Sequence, residues 1–266
     1  MTFGRAVYLF FVALIMVFLV APLGVIMWAS FFADKILAFP PSGYTVAYYA
    51  RAWQLADFSQ GFMTSIQVAV CATVGSLLVG IPAALAIERL SVPARAAVRE
   101  VLLAPMYVPA IVAGAAVYLY YIQFEIKTEF QLTATFLGLL IAHTLVGIPW
   151  TMRLVSASLV SNGGVAEEAA QSLGANALQT FFLVTLPVIR SGIIAAALFS
   201  FIASFTELEL SLFLVGPGKT TLPIAIINYL EWNLDSTIAA VATVQIVIIG
   251  AALLVSDRFV NLGRAF

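Results

Sequence analysis

One histidine, His143, and one cysteine, Cys71, are the whole supply of imidazole and thiol in these 266 residues. A zinc-hydrolase motif of the H-E-x-x-H type needs two histidines, and a lone cysteine excludes both an intrachain disulfide and a Cys-rich metal cluster. No G-x-S nucleophile elbow occurs, and no clustered aspartates are present to hold a diphosphate through magnesium. Gly216-Pro217-Gly218-Lys219-Thr220-Thr221 ends like a phosphate-binding loop, but Phe213 stands where that loop requires its first glycine. Nucleotide binding there is rejected, and an enzyme is the weakest reading. What remains is carboxylates in unusual places. Glu167 and Glu168 precede a short apolar helical pattern, and Glu207 and Glu209 end a long apolar run. A carboxylate in or near hydrocarbon is costly unless it meets water or a partner, so such groups normally face an interior cavity.

The elements that must position these groups are membrane spans. Hydrophobic residues make up 63% of the chain and charged residues 9%, with a net charge of −1. Mean hydropathy is +1.07, whereas a soluble domain runs at about 45–50% apolar and about 25% charged. Soluble enzymes and disordered scaffolds are excluded, and no basic patch exists for nucleic acid. Uncharged runs near the roughly 20 residues a bilayer needs give six spans, at about 7–29, 62–87, 101–122, 132–150, 189–206 (or on to Val215) and 238–255. The first is too long for a cleaved signal core and is read as an uncleaved helix. Prolines 82, 105, 109 and 149 mark kinks or span ends. With the N-terminus inside, Arg5, Arg89, Arg95, Arg99, Arg153, Arg190, Arg258 and Arg264 fall on the cytoplasmic side. Only Lys35, Arg51, Lys127 and Lys219 fall outside. The excess inside puts both termini in the cytoplasm. The expectation is an all-α, six-span, multi-pass protein, 1–266 forming one membrane domain. No internal repeat of the secondary-carrier type is visible.

Three segments join the spans with purpose. Residues 30–61 lie outside, with Tyr44, Tyr48, Tyr49 and Trp53 suited to an interfacial helix. Residues 151–188 form the largest inner stretch. There Ser161, Asn162 and the glycines after them can start a helix, Glu167 and Glu168 favour its positive end, and Gly174 stops it. Asn176 can cap a second helix that Pro187 closes. Within the fifth span, Ser200, Ser204, Glu207 and Ser211 are spaced four, three and four apart. On a continuous helix they form one stripe, with Glu209 opposite. That stripe is predicted to line a translocation pathway or the contact with a second subunit; a polar seam between helices is the alternative. A pore-facing Glu207 suits a cationic or amine-bearing solute. His143 is read as a hydrogen-bonded interhelical residue, with proton relay as the alternative. Asn228, Glu231 and Asp235 are read as outer-surface contacts, and the Gly216–Gly218 tip as either a plain turn or a contact reaching outward.

Glu168-Ala169-Ala170, three residues, Gly174, nine residues, then Val184-x-Leu186-Pro187 resembles the EAA loop of ABC-importer permeases, E-A-A-x3-G-x9-I-x-L-P. The one departure, Val184, conserves most of the volume. The resemblance is nearest to the maltose-type superfamily in its spermidine/putrescine-like branch, where a phenylalanine, an acidic residue and Gly-Pro follow the fifth span, as Phe205, Glu207 and Gly216-Pro217 do here. It implies a type I importer permease fold in the bacterial inner membrane. It also implies a loop, about 161–187, whose first helix docks on a cytoplasmic ATPase through Glu167, Glu168, Ala169, Ala170, Gly174, Leu186 and Pro187. The implied partners are a second permease, of a different sequence, two copies of the ATPase, a periplasmic or lipid-anchored solute-binding protein, and membrane lipid. ATP and magnesium belong to the ATPase, and this chain is expected to hold no cofactor or metal. A merely solvated surface helix is the bland alternative for the loop, and a self-sufficient carrier or channel the alternative function. The coupling role predicts that Glu168→Lys or Gly174→Ala leaves insertion intact and abolishes uptake.

Overall fold

The computed structural model describes residues 3–36, 38–89, 95–161, 164–216 and 218–260. Asn162, Gly163, Pro217 and Arg264 lie outside the described residues. The helices are α1 (Phe3–Ala29), α2 (Ala47–Gln54), α3 (Ala56–Arg89), α4 (Arg95–Leu103), α5 (Ala110–Thr128), α6 (Phe136–Ser161), α7 (Val165–Ser172), α8 (Ala177–Thr180), α9 (Leu186–Val188), α10 (Arg190–Phe205), α11 (Ser211–Leu214), α12 (Leu222–Leu230) and α13 (Ser236–Val260). Isolated bridges, Phe32 with Tyr44 and Gly216 with Lys219, are the extended pairings among the described residues.

Four helices are long and apolar enough to cross a membrane, within α1, α3, α6 and α13, and two further candidates are bent pairs. The third expected span is broken. A 3-10 turn, Ala104–Met106, and a bend of 101° separate α4 from α5. Pro105 and Pro109 lack the N–H groups that would continue the ladder across this point. Pro82 and Pro149, by contrast, sit inside continuous helices. α6 also runs eleven residues past the expected span end at Trp150, to Ser161. Arg153 therefore lies on a helix rather than in a loop. The fifth span is bent by 68° between Ala177–Val188 and Arg190–Phe205.

The chain falls into two compact units. The larger comprises residues 60–224 and 251–266. Its core is α6 packed along α10 and α3, with Met152, Val155, Leu159, Ile87, Ile189 and Ala196 buried together. Small residues permit this approach: a Cβ on Gly147 would lie 2.8 Å from Ser76, and one on Gly192 2.5 Å from Ser158. Close backbone packing replaces the hydrophobic driving force that is absent between helices in lipid. Ser200 donates to the Gly147 carbonyl at 3.1 Å, keeping its hydroxyl satisfied inside the seam.

The smaller unit comprises residues 1–59 and 225–250. Its α1 leaves its apolar side chains uncovered by the chain, Phe18 being 77% exposed. A surface of that kind is stable only against lipid or another subunit. The aromatics after α1 tie the segment down. The Tyr48 hydroxyl donates to the Asp34 carbonyl at 2.9 Å, and Tyr49 meets Ser30 at 2.7 Å. Hydrogen bonds from Ser42 hold the Asp34 carboxyl below the usual carboxylate range. Asp235 corrects an expectation. It is buried rather than an outer contact, paired with Arg51 at 3.0 Å and accepting from Tyr229 and from the Thr237 amide. Asn228 and Glu231 are exposed.

Candidate functional site

The loop after α6 is a helical projection whose parts follow from its residues. α7 has Glu167 and Glu168 in its first turn, where the unpaired amides carry partial positive charge. Its end is a complete Schellman closure. The Gly174 amide donates to the Gln171 carbonyl and the Ala175 amide to the Ala170 carbonyl, with Gly174 at φ +92°. Asn176 then starts α8 with a capping box: its side chain accepts from the Gln179 amide, and the Gln179 side chain accepts from the Asn176 amide, both at 2.9 Å. Phe181–Thr185 is π-helical, the Leu186 amide reaching back to Phe181. Pro187, inside α9, has no amide to give, so the ladder is interrupted just before the bend into α10. Glu168, Ala169 and Gly174 are exposed. Val165, Leu178 and Leu183 are exposed as well, and Leu173 is 90% exposed.

One residue that the motif does not contain holds this projection in place. Arg89, the last residue of α3, donates from Nε to Glu167 at 2.8 Å and from Nη2 to the Leu159 carbonyl at 3.0 Å. The guanidinium thus joins the last turns of α6 to the first turn of α7. Glu167 and Glu168, equivalent in sequence, part company: one carboxylate is turned inward onto Arg89 and the other faces out.

The second site forms where the fifth span ends. α10 stops at Phe205, and Thr206–Leu210 is a turn closed by the Glu207 carboxylate, which accepts from the Leu210 amide at 3.0 Å. The expected continuous stripe is therefore divided. Ser200, Ser204 and Ser211 are buried against α6, with His143 Nδ1 2.8 Å from Ser204 and Nε2 3.0 Å from Ser211. Glu207 turns away from them. Glu209, placed on the opposite face by helical geometry, shares a cavity of about 660 Å³ with it, because the chain between them is not helical. The cavity is walled by the broken segment Val101–Val117 and by Leu145 and Val146. Glu209 accepts from the Ile111 amide at 3.0 Å, so a carboxylate occupies the open N-terminus of α5. Among the described residues no group of His, Cys, Asp and Glu is arranged to hold a metal.

A family model, the inner membrane component of binding-protein-dependent transport systems, matches residues 76–262. The chain belongs to this family. The permease is similar to the putrescine transport system permease protein PotI of Escherichia coli K12, 26% identical over 234 residues that cover 88% of this chain and 83% of the relative. It is also similar to the putative 2-aminoethylphosphonate transport system permease protein PhnV of Salmonella typhimurium LT2, 28% identical, covering 94% of this chain and 91% of the relative. In solved structures it shares the fold of a chain of a bacterial ABC transporter that imports alginate, with a TM-score of 0.73, 17% identity and coverage of 97% and 98% of the two chains. A chain of a methionine ABC transporter in inward-facing conformations gives a TM-score of 0.61 at 17% identity, covering 77% of the permease and 94% of that chain.

Both sites of the permease lie inside the matched segment. The EAA-type spacing was visible in the sequence, but Arg89, 78 positions from its partner, carried no local signal. Glu209 was visible as a charge and misplaced by assuming a helix that Phe205 ends. In the tip after α11, the Lys219 amide donates to the Gly216 carbonyl at 2.9 Å, as in a tight turn. His143 is a joint between α6 and the end of the fifth span. His143→Leu leaves Ser204 without its ring partner in a buried seam, a loss of about 1–3 kcal/mol. Thermal unfolding of the detergent-solubilised permease is expected to shift down by roughly 3–8 °C, with uptake at low temperature preserved. Loss of uptake with an unchanged midpoint would instead indicate proton relay.

Proposed function

We propose that the chain is one of the two transmembrane subunits of an ATP-driven importer, and that loop 161–187 transmits the motion of a cytoplasmic ATPase to the translocation pathway. The observation that carries this is the exposed α7–α8 projection, capped on both sides of the turn that joins its two helices and clamped to the span bundle by Arg89. A rigid knob passes on displacement that a flexible loop would absorb. Glu168 and the slim Ala169–Ala170 surface make the docking face, Gly174 sets the turn, and Leu186 and Pro187 connect it to the fifth span. ATP and magnesium act on the ATPase, and this chain supplies no catalytic group.

Six spans with both termini in the cytoplasm give the assembled subunit, a single membrane domain, its orientation in the bacterial inner membrane. Each bent pair then counts as one span. A second permease of different sequence completes the pathway, two ATPase copies drive it, and a periplasmic or lipid-anchored binding protein delivers the solute. A polyamine or another amine-bearing compound fits the cavity holding Glu207 and Glu209. The names of the putrescine and aminoethylphosphonate relatives support the same chemistry.

The deciding experiment is ATPase activity in the complex captured on this chain from its native host, wild type beside Glu168→Lys. Wild type is expected to bring down an ATPase and its hydrolysis, and the variant to lose either one at equal membrane abundance. Capture of no ATPase, under conditions that keep a known importer intact, sinks the proposal. Gly174→Ala is a graded companion. A Cβ there meets nothing within 4 Å, so the cost is the left-handed backbone alone, about 1 kcal/mol. Uptake is expected to fall severalfold rather than vanish, which tempers the expectation from the motif.

A further inference from the structure

A second cavity, of about 490 Å³, opens between α4 and the last turns of α6. Its polar lining is Glu88, Arg99, Arg153, Ser156 and Ser161. Leu103, Met152, Ala157 and Val160 form its apolar walls. Glu88 is buried, its side chain 4% exposed, and is already doubly committed: Arg95 reaches it at 2.6 Å and Arg99 makes a second, shorter contact. Arg153 forms no ion pair among the described residues. Two guanidinium groups, Arg99 and Arg153, against the one carboxylate of Glu88 leave the lining with a charge of +1, and Arg95 on the far side of Glu88 adds to it. The surroundings are apolar: Val98, Val101 and Val160 are exposed.

We propose that this cavity binds a phosphate anion, and that its source is the headgroup of an anionic phospholipid. Arginine is the suitable side chain, since its planar donors can hold two phosphate oxygens at once. A soluble phosphate would gain nothing from walls of Leu103, Met152 and Val160, whereas a lipid lays its acyl chain along them. Basic side chains in an otherwise apolar slot between helices fit a cytoplasmic-leaflet lipid, which is where the orientation proposed above places Arg99 and Arg153. Glu88 keeps Arg99 turned into the site while neutralising only part of the charge. The bound lipid would brace α4 against α6, next to the Arg89 clamp. This assignment does not depend on the substrate, and its readout does not require transport.

The test uses the assembled importer purified in mild detergent and reconstituted into nanodiscs of phosphatidylcholine, with or without phosphatidylglycerol. After return to detergent, retained lipid is quantified by mass spectrometry. Wild type is expected to retain phosphatidylglycerol in preference to phosphatidylcholine, and Arg153→Gln to lower that preference about fivefold. Arg153→Lys, which keeps the charge and loses the planar fork, should recover only part of it. Ala157→Leu, which fills the slot without altering charge, should lower it too, so the result does not rest on one charge change. Radiolabelled inorganic phosphate offered to the lipid-poor complex separates the sources. Phosphate bound through Arg153 with no phosphatidylglycerol preference overturns the lipid assignment, and equal retention by wild type and Arg153→Gln overturns the site.

Discussion

Arg89→Ala is expected to reduce uptake by about tenfold or more while the permease still inserts and still binds its ATPase. The substitution removes hydrogen bonds from one guanidinium to Glu167 and to the Leu159 carbonyl. Hydrogen bonds to charged groups are worth about 1.5–3 kcal/mol when buried. Here the side chains are 26% and 16% exposed, so a smaller value applies. Even about 1.4 kcal/mol moves the clamped and unclamped populations of α7 tenfold. ATP hydrolysis should continue and lose its dependence on the binding protein, because docking survives and transmission does not. Arg89→Lys should restore only part of the coupling, since a single ammonium cannot reproduce both contacts in the same plane. Glu167→Ala should add little on top of Arg89→Ala, the signature of a shared interaction in a double-mutant cycle. Full uptake by Arg89→Ala at normal abundance would remove the clamp from the mechanism.

The other large effect concerns charge at the broken span. Glu207→Gln is expected to lower the maximal uptake rate of an amine-bearing solute by roughly tenfold. Two unit charges about 4 Å apart attract by about 4 kcal/mol at an effective dielectric of 20, and the partly open cavity leaves a fraction of that. The loss should appear in the maximal rate of the reconstituted system. Glu209 allows a cleaner separation. Glu209→Gln removes the charge and keeps an oxygen to accept from the Ile111 amide, whereas Glu209→Ala also opens the N-terminus of α5. If the carboxylate serves the solute, both variants fail alike; if it serves the helix end, only alanine fails, and by protein abundance. Wild-type rates in the Glu207→Gln, Glu209→Gln double variant would exclude an amine preference from this cavity.

Several elements were legible because the physics behind them is local. Long uncharged runs of about 20 residues read as span candidates, and α1, α3, α6 and α13 lie where those runs fall. The positive φ of Gly174 and the Asn176 capping box were readable in the same way, since a helix end is decided by the residues within one turn of it. The spacing from Glu168 to Pro187 held family information for the same reason.

What only the tertiary structure decided is which polar groups meet across the bundle. Arg89 finds Glu167, His143 finds Ser204 and Ser211, and Glu88 gathers Arg95 and Arg99. In each case a costly polar group near hydrocarbon is satisfied by the nearest donor or acceptor in space, and distance along the chain says little about which that is. The break after Phe205 belongs to the same class. Serine, threonine and glutamate at 204–211 can all be accommodated in a helix. The turn there, with Glu207 on the Leu210 amide and Glu209 on the Ile111 amide, is set by the neighbouring helix end. The sequence by itself determined a membrane-type helical chain carrying the spacing of an importer-permease loop. The packed bundle decided which of its charges clamp that loop and which face the cavity.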